Sequence, residues 1–298
     1  MSDIWEGMYP YILDVYRNNK NFRIIDTGNN KNICVIFFSG NGIYFPNSYF
    51  KEKIIENDRY EWENISKSII IRKKAGRLVF LRDVWKQFYI TGINANCNTV
   101  EKTLDLLKQL TAGYEVITVG NSAGGYAAVL FGCLLNAKSI FSISGQFFVP
   151  ARDLLKENIN NSFQYYDLNS LVSKYSGTII YIFPCRAWQD VPQNNHVEGL
   201  DNIVRVRVVS DIHGEGLLPE NYQYIFFYEV KKIKSKIDEM KEYYPIDILV
   251  LTSPWYFKFK EKLSYCLKKT LKQILIKLGL FYFVKKQYYY WRGLGVDG

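Results

Sequence analysis

The first 250 of 298 residues are predicted to form an α/β three-layer sandwich, a mostly parallel central sheet flanked by helices; residues 251–298 form a basic helical appendage. Three observations predict this. Short β-branched runs alternate with helical stretches through the first 210 residues, the order that builds a parallel sheet with covered faces. Some of the runs, ICVIFF above all, are apolar almost without a break, as strands buried on both faces are. The charge is also uneven. The chain carries +9, yet residues 255–298 hold ten basic and two acidic residues, a net +8 there against +1 for everything before.

The strands are expected, in order, at Phe22–Asp26, Ile33–Phe38, Leu78–Asp83, Glu115–Gly120, Ser139–Ser144, Thr178–Phe183 and Ile203–Val209. Helical spacing marks Val100–Leu110 and Ser122–Leu135, the second rich in small residues that allow close packing on a sheet. After Pro219 the pattern changes, and Tyr224–Tyr244 reads as one or two amphipathic helices. A chain of this length can bury roughly three quarters of its unfolded surface. The 48% hydrophobic share excludes a disordered protein.

Composition narrows the chemistry. Two histidines, His196 and His213, nearly exclude a multi-histidine metal site and limit any base mechanism to two candidates. The five cysteines, Cys34, Cys97, Cys133, Cys185 and Cys266, are odd in number and form no C-x-x-C pair, so zinc ribbons and disulfide frameworks are not expected. No metal or cofactor is therefore anticipated. The opening residues MSDIWEGMYP lack a basic segment followed by an apolar one, and a reduced, cytoplasmic location is expected.

The sharpest local signal is Gly120-Asn121-Ser122-Ala123-Gly124-Gly125, a G-x-S-x-G between the strand EVITV and a helix. In that context a serine sits on a strained strand-to-helix turn, and the flanking glycines leave room where any Cβ would strike a neighbour. The helix N-terminus brings free N–H groups and a positive dipole end beside it. A glycine-rich turn merely capped by serine is the alternative. A P-loop is excluded because no lysine follows the glycines, and G-x-G-x-x-G does not occur here.

Strand, G-N-S-A-G-G and helix, placed after several earlier strands, resemble the α/β-hydrolase superfamily of serine esterases, lipases and acyltransferases, over roughly residues 20–215. The resemblance implies an open, mainly parallel sheet and a triad in the order Ser, acid, His. It places the base in the loop after the last strong strand, where His213 lies within SDIHGEG; His196 is the rival. It places the acid a few residues past the strand TIIYIF, where Asp190 precedes Val-Pro; Asp167, Asp201 and Glu198 are rivals. The oxyanion hole is then expected from the N–H of Ala123 and from the loop Ser39-Gly40-Asn41-Gly42, through Asn41 or Gly42. That loop lacks the histidine of relatives with a histidine-glycine stretch, and a type I′ turn at Asn41-Gly42 is its competing explanation.

These residues predict a serine-dependent ester hydrolase or O-acyltransferase acting through an acyl-enzyme on a small-molecule or glycan ester. The contrasting expectation is a non-catalytic hydrolase-like scaffold tethered to a membrane assembly. Aromatic loops at Ile43–Phe50 and Gln164–Leu168 suggest sugar stacking or plain rim packing. In the tail, Phe259, Leu263, Leu267, Leu271, Ile274, Leu275 and Leu278 form one helical face, with lysines over much of the rest. Residues 255–292 are expected to contact an anionic membrane at its inner face, or to dock on the body or on a second copy as an oligomer. No nucleic-acid partner is expected.

Overall fold

The computed structural model describes residues 2–41, 50–149 and 163–216, together with 222, 225–227 and 233. All lie in the first of two compact units, Met1–Pro245; the second, Ile246–Gly298, is outside the described residues, as is most of the helical stretch expected at 224–244.

Seven strands form one sheet: β1 (Phe22–Asp26), β2 (Ile33–Phe38), β3 (Arg77–Leu81), β4 (Glu115–Asn121), β5 (Ser139–Ile143), β6 (Ile179–Pro184) and β7 (Ile203–Val208). Their spatial order is β1-β3-β2-β4-β5-β6-β7. Only β1 runs antiparallel to its neighbour, and every other pairing is parallel. All seven expected runs are strands. Among the described residues six α-helices accompany them: α1 (Ser2–Asn18), α2 (Ile69–Lys74), α3 (Val100–Leu110), α4 (Ala123–Leu134), α5 (Asn169–Lys174) and α6 (Asp190–His196). The result is the flanked, mostly parallel sheet of an α/β-hydrolase-like sandwich.

The apolar runs become central strands for a simple reason. In β2 the residues Cys34 to Phe38 are wholly buried, with odd and even positions packing on opposite faces. Phe38 stacks on Phe131 of α4 at 5.5 Å, within a cluster that also takes in Leu107 of α3 and Val172 of α5. Phe37 faces the other way, stacking on Phe80 at 5.0 Å and meeting Phe226 edge-on at 6.0 Å. Phe141 reaches the same Phe226 at 5.1 Å, so aromatic side chains close that second face. Helix α4 is buried along most of its length, as a helix with no polar face must be.

Chain order around β2 and β4 positions the site. From β2 the chain moves to one side, to β3; from β4 it moves to the other, to β5. Right-handed crossovers in opposite directions leave a crevice at the carboxyl ends of the two neighbouring strands, the place where open α/β sheets bind ligands. The loop after β2 and the turn after β4 border it. Among the described residues no helix is long and apolar enough to cross a membrane.

Candidate active site

Three loops at the carboxyl ends of parallel strands supply the central groups. Ser122 follows β4 directly and takes φ 55° and ψ −121°, a conformation that L side chains adopt only under constraint. The constraint is visible. Ser122 N–H donates to Ile143 O on β5 at 2.8 Å, and Ser122 O accepts from Tyr126 N–H, closing the first turn of α4. The flanking glycines permit this crowding: a Cβ on Gly120 would stand 1.9 Å from Gly124 O, and one on Gly124 2.2 Å from Phe38 O. Helix α4 therefore starts hard against the end of β2, and Ser122 is lifted clear of the sheet.

His213 lies in the loop after β7. Ser210 caps that loop by accepting Ile212 N–H at 3.1 Å and by its hydroxyl contact to Glu215. Gly214, at φ 83°, donates its N–H to Ser144 Oγ at 3.1 Å. Asp190 opens α6 beyond β6 and is 1% exposed. Ser122 Oγ stands 2.8 Å from His213 Nε2, and His213 Nδ1 stands 2.8 Å from Asp190 Oδ2. A carboxylate accepts only, so Nδ1 carries the proton and Nε2 is left to accept from the serine hydroxyl. Burial raises the Asp190 carboxyl above its ordinary range, opposed by its hydrogen bond and charge attraction to His213 and by the Ser144 hydroxyl.

The rivals fall elsewhere. His196, at the end of α6, pairs through Nε2 with Asp167 Oδ1 at 3.0 Å and packs its ring on Phe148 at 4.8 Å. Asp201 and Glu198 are exposed. Ala123 is the first residue of α4, so its N–H has no acceptor within the helix. Asn41 closes the described part of the loop after β2 and donates its side-chain amide to Lys86 O at 3.4 Å. Gly42 and most of the Ile43–Phe50 loop lie outside the described residues. In the other aromatic loop, Tyr165 donates its hydroxyl to Glu101 of α3 at 2.9 Å.

Several groups around the site carry little signature in the sequence. Glu61 reaches the loop after β2, and Asp83 and Lys86, of opposite charge type, are both buried in the loop after β3. One signal exists: Arg82, Asp83 and Lys86 interrupt an otherwise apolar run, and charges in such a run are buried together or not at all. Four described cysteines are unpaired, and burial pushes the thiols of Cys34 and Cys133 up to about 12, which leaves them inert.

No family model and no curated protein sequence matches the chain. Solved structures similar to it include the capsule O-acetyltransferase of Neisseria meningitidis serogroup A (14% identity, 66% of this chain and 91% of that one, TM-score 0.46). Est1E from Butyrivibrio proteoclasticus aligns at 13% identity over 68% of this chain and 89% of that one, with a TM-score of 0.44. A lipase-esterase related protein from Clostridium acetobutylicum aligns at 14% identity over 74% of this chain and all of that one, with a TM-score of 0.42. The fold of this chain rests on its own sheet: seven mostly parallel strands in the order β1-β3-β2-β4-β5-β6-β7 with flanking helices, and with Ser122 after β4, Asp190 after β6 and His213 after β7, make an α/β-hydrolase-like fold.

Proposed function

We propose that the chain is a serine-dependent acyl-transfer enzyme, a carboxyl-ester hydrolase or O-acyltransferase that works through an acyl-enzyme. The observation that carries this reading is the unbroken hydrogen-bonded chain from Ser122 Oγ through the His213 ring to Asp190, drawn from three separate strand ends. Ser122 also holds φ at 55°, a conformation that costs backbone energy and persists only where its surroundings impose it.

In the proposed reaction Ser122 Oγ attacks the ester carbonyl while His213 Nε2 takes its proton. Asp190 keeps Nδ1 protonated and stabilises the imidazolium without taking the proton itself. The carbonyl oxygen, now an anion, is held by the N–H of Ala123 and by a second donor from the loop after β2, Asn41 or Gly42; each such donor contributes about 3 kcal/mol to the transition state. Collapse expels the alcohol, which receives its proton from His213. Water or a second alcohol then enters by the same route in reverse, giving hydrolysis or transfer.

A fluorophosphonate probe tests the assignment. Wild-type protein is expected to gain one covalent adduct at Ser122, seen by intact mass and peptide mapping, and Ser122→Ala to gain none. Undiminished labelling of Ser122→Ala refutes the reading and leaves a non-catalytic scaffold in its place.

A further inference from the structure

We propose that Glu61 is the positioning residue of the oxyanion loop, holding the chain after β2 in the shape that turns an amide toward Ser122; this rests on the acyl-transfer reading above. Residues 39–41 have no regular structure of their own, so their shape must come from side chains. Glu61 supplies two of the ties and a link to the serine turn. Its carboxylate Oε2 accepts Gly40 N–H at 2.5 Å and its own N–H donates to Ser39 Oγ at 3.3 Å, while the Asn121 side chain favours the ionised form of the same carboxyl. Asn121 immediately precedes the nucleophile, so one carboxylate spans the oxyanion loop and the serine turn. A Cβ on Gly40 would come within 2.6 Å of Asn121 O, which shows how closely the two segments abut.

The loop after β3 completes the clamp. Asp83 accepts the N–H groups of Trp85, Gln87 and Tyr89 at 3.0, 2.7 and 2.9 Å, bending residues 85–89 into a tight turn. From that turn Tyr89 donates its hydroxyl to Ser39 O at 2.9 Å, and Lys86 O accepts from the Asn41 amide. Lys86, Phe88 and Tyr89 all take φ near +60°, as does Trp62 beside Glu61, and bulky residues hold that conformation only when their surroundings impose it. The Gly40 amide is committed to a carboxylate and so is withdrawn from any oxyanion. The amide of Asn41, next along the chain, is the donor this arrangement offers.

The electrostatics fit a group retained for position rather than for stability. Burial raises the Glu61 carboxyl to about 7, against the Gly40 N–H, the Lys86 charge and the Asn121 amide, which pull it down. Lys86 is in turn lowered to about 7 by burial, while Asp83 and Glu61 raise it and Arg82 lowers it. A carboxylate beside a site that must stabilise an anion is unfavourable unless its charge is offset, and Lys86 is placed to offset it.

The test compares wild type, Glu61→Ala, Glu61→Gln and Ser122→Ala on p-nitrophenyl acetate and on its thionoester analogue. Sulfur is a poor acceptor, so a formed oxyanion hole discriminates strongly against the thionoester. Glu61→Ala is expected to lose about 10²- to 10³-fold in kcat on the oxygen ester, the effect of losing one donor. KM should stay within about twofold, because the loss is confined to the transition state. Its preference for oxygen over sulfur should collapse with kcat, and Glu61→Gln, which still offers an acceptor to Gly40, should recover at least tenfold. Near-UV circular dichroism establishes that both variants are folded. An unchanged kcat in Glu61→Ala, an equal loss on both esters, or a Gln variant no better than Ala each overturns the proposal. Activity that survives in Ser122→Ala instead overturns the serine reading itself.

Discussion

Ser122 occupies a backbone conformation that costs of order 1–3 kcal/mol, and its surroundings over-determine it. Glu61 is constrained as well, and desolvation of its carboxyl shows in its titration. Its carboxyl sits near 7 in the folded protein against an ordinary 4.5. Between those values the folded chain holds a proton that the unfolded chain has released. Stability therefore falls as pH rises from 4.5 to 7 and levels off above, where both states are ionised. Glu61→Gln removes that slope. The urea midpoint of Glu61→Gln, relative to wild type, is therefore expected to climb between pH 4.5 and 7. A difference that stays flat or shrinks across that window contradicts burial of the carboxyl.

Among the elements, those with a continuous physical signal were legible in the sequence. ICVIFF and TIIYIF are strands because burial on both faces demands unbroken apolar runs, and the helix Val100–Leu110 begins where Thr99 accepts Lys102 N–H at 3.2 Å. Helices α2 and α5, six residues each, are too short to show a period, and α1 carries Pro10 within its span. The positions of Ser122, Asp190 and His213 were legible because the strand-to-helix turn and the ends of β6 and β7 each leave a local mark. Glu61 and its partners were not, since the contact between Gly40 and Glu61 joins irregular segments twenty-one residues apart. Two substitutions separate packing at the site from helix stability in general. Gly124→Ala forces a Cβ toward Phe38 O, a backbone atom that has nowhere to go, at a cost of about 1–3 kcal/mol or more. It should lower the urea midpoint and slow fluorophosphonate labelling together, because the start of α4 and the end of β2 are pushed apart. Thr99→Ala removes only the α3 cap, about 1 kcal/mol, and should lower the midpoint while leaving the labelling rate intact. Equal labelling by the two variants contradicts the claim that α4 is set against β2 for the sake of the serine.

At the scale of the whole molecule, charge divides the chain more sharply than any motif does. The segment that holds all seven strands and the triad is nearly neutral, while residues 255–298 carry a net +8. Excess charge of one sign on a short segment is self-repelling, so it is retained where an opposite charge awaits it. The tail's apolar positions recur at steps of three and four, and tyrosines and a tryptophan gather at Phe281–Arg292. We propose that this segment contacts an anionic bilayer, a surface whose acyl boundary takes apolar groups and whose headgroup region takes tyrosine and tryptophan rings. Each lysine there is worth about 1 kcal/mol, so six together decide whether the protein is bound at all. Replacing Lys258, Lys260, Lys262, Lys268, Lys269 and Lys272 by glutamine in the full chain is therefore expected to abolish flotation with phosphatidylserine vesicles. Flotation of the wild type should fall steeply with added salt, since surface attraction decays within a Debye length of about 8 Å at physiological ionic strength. Labelling of Ser122 should be unaffected by the six changes, because the triad draws only on residues 122 to 213. Flotation that persists in the glutamine variant refutes the electrostatic part of the membrane reading, and a shift from oligomer to monomer without any flotation assigns the tail to self-association instead.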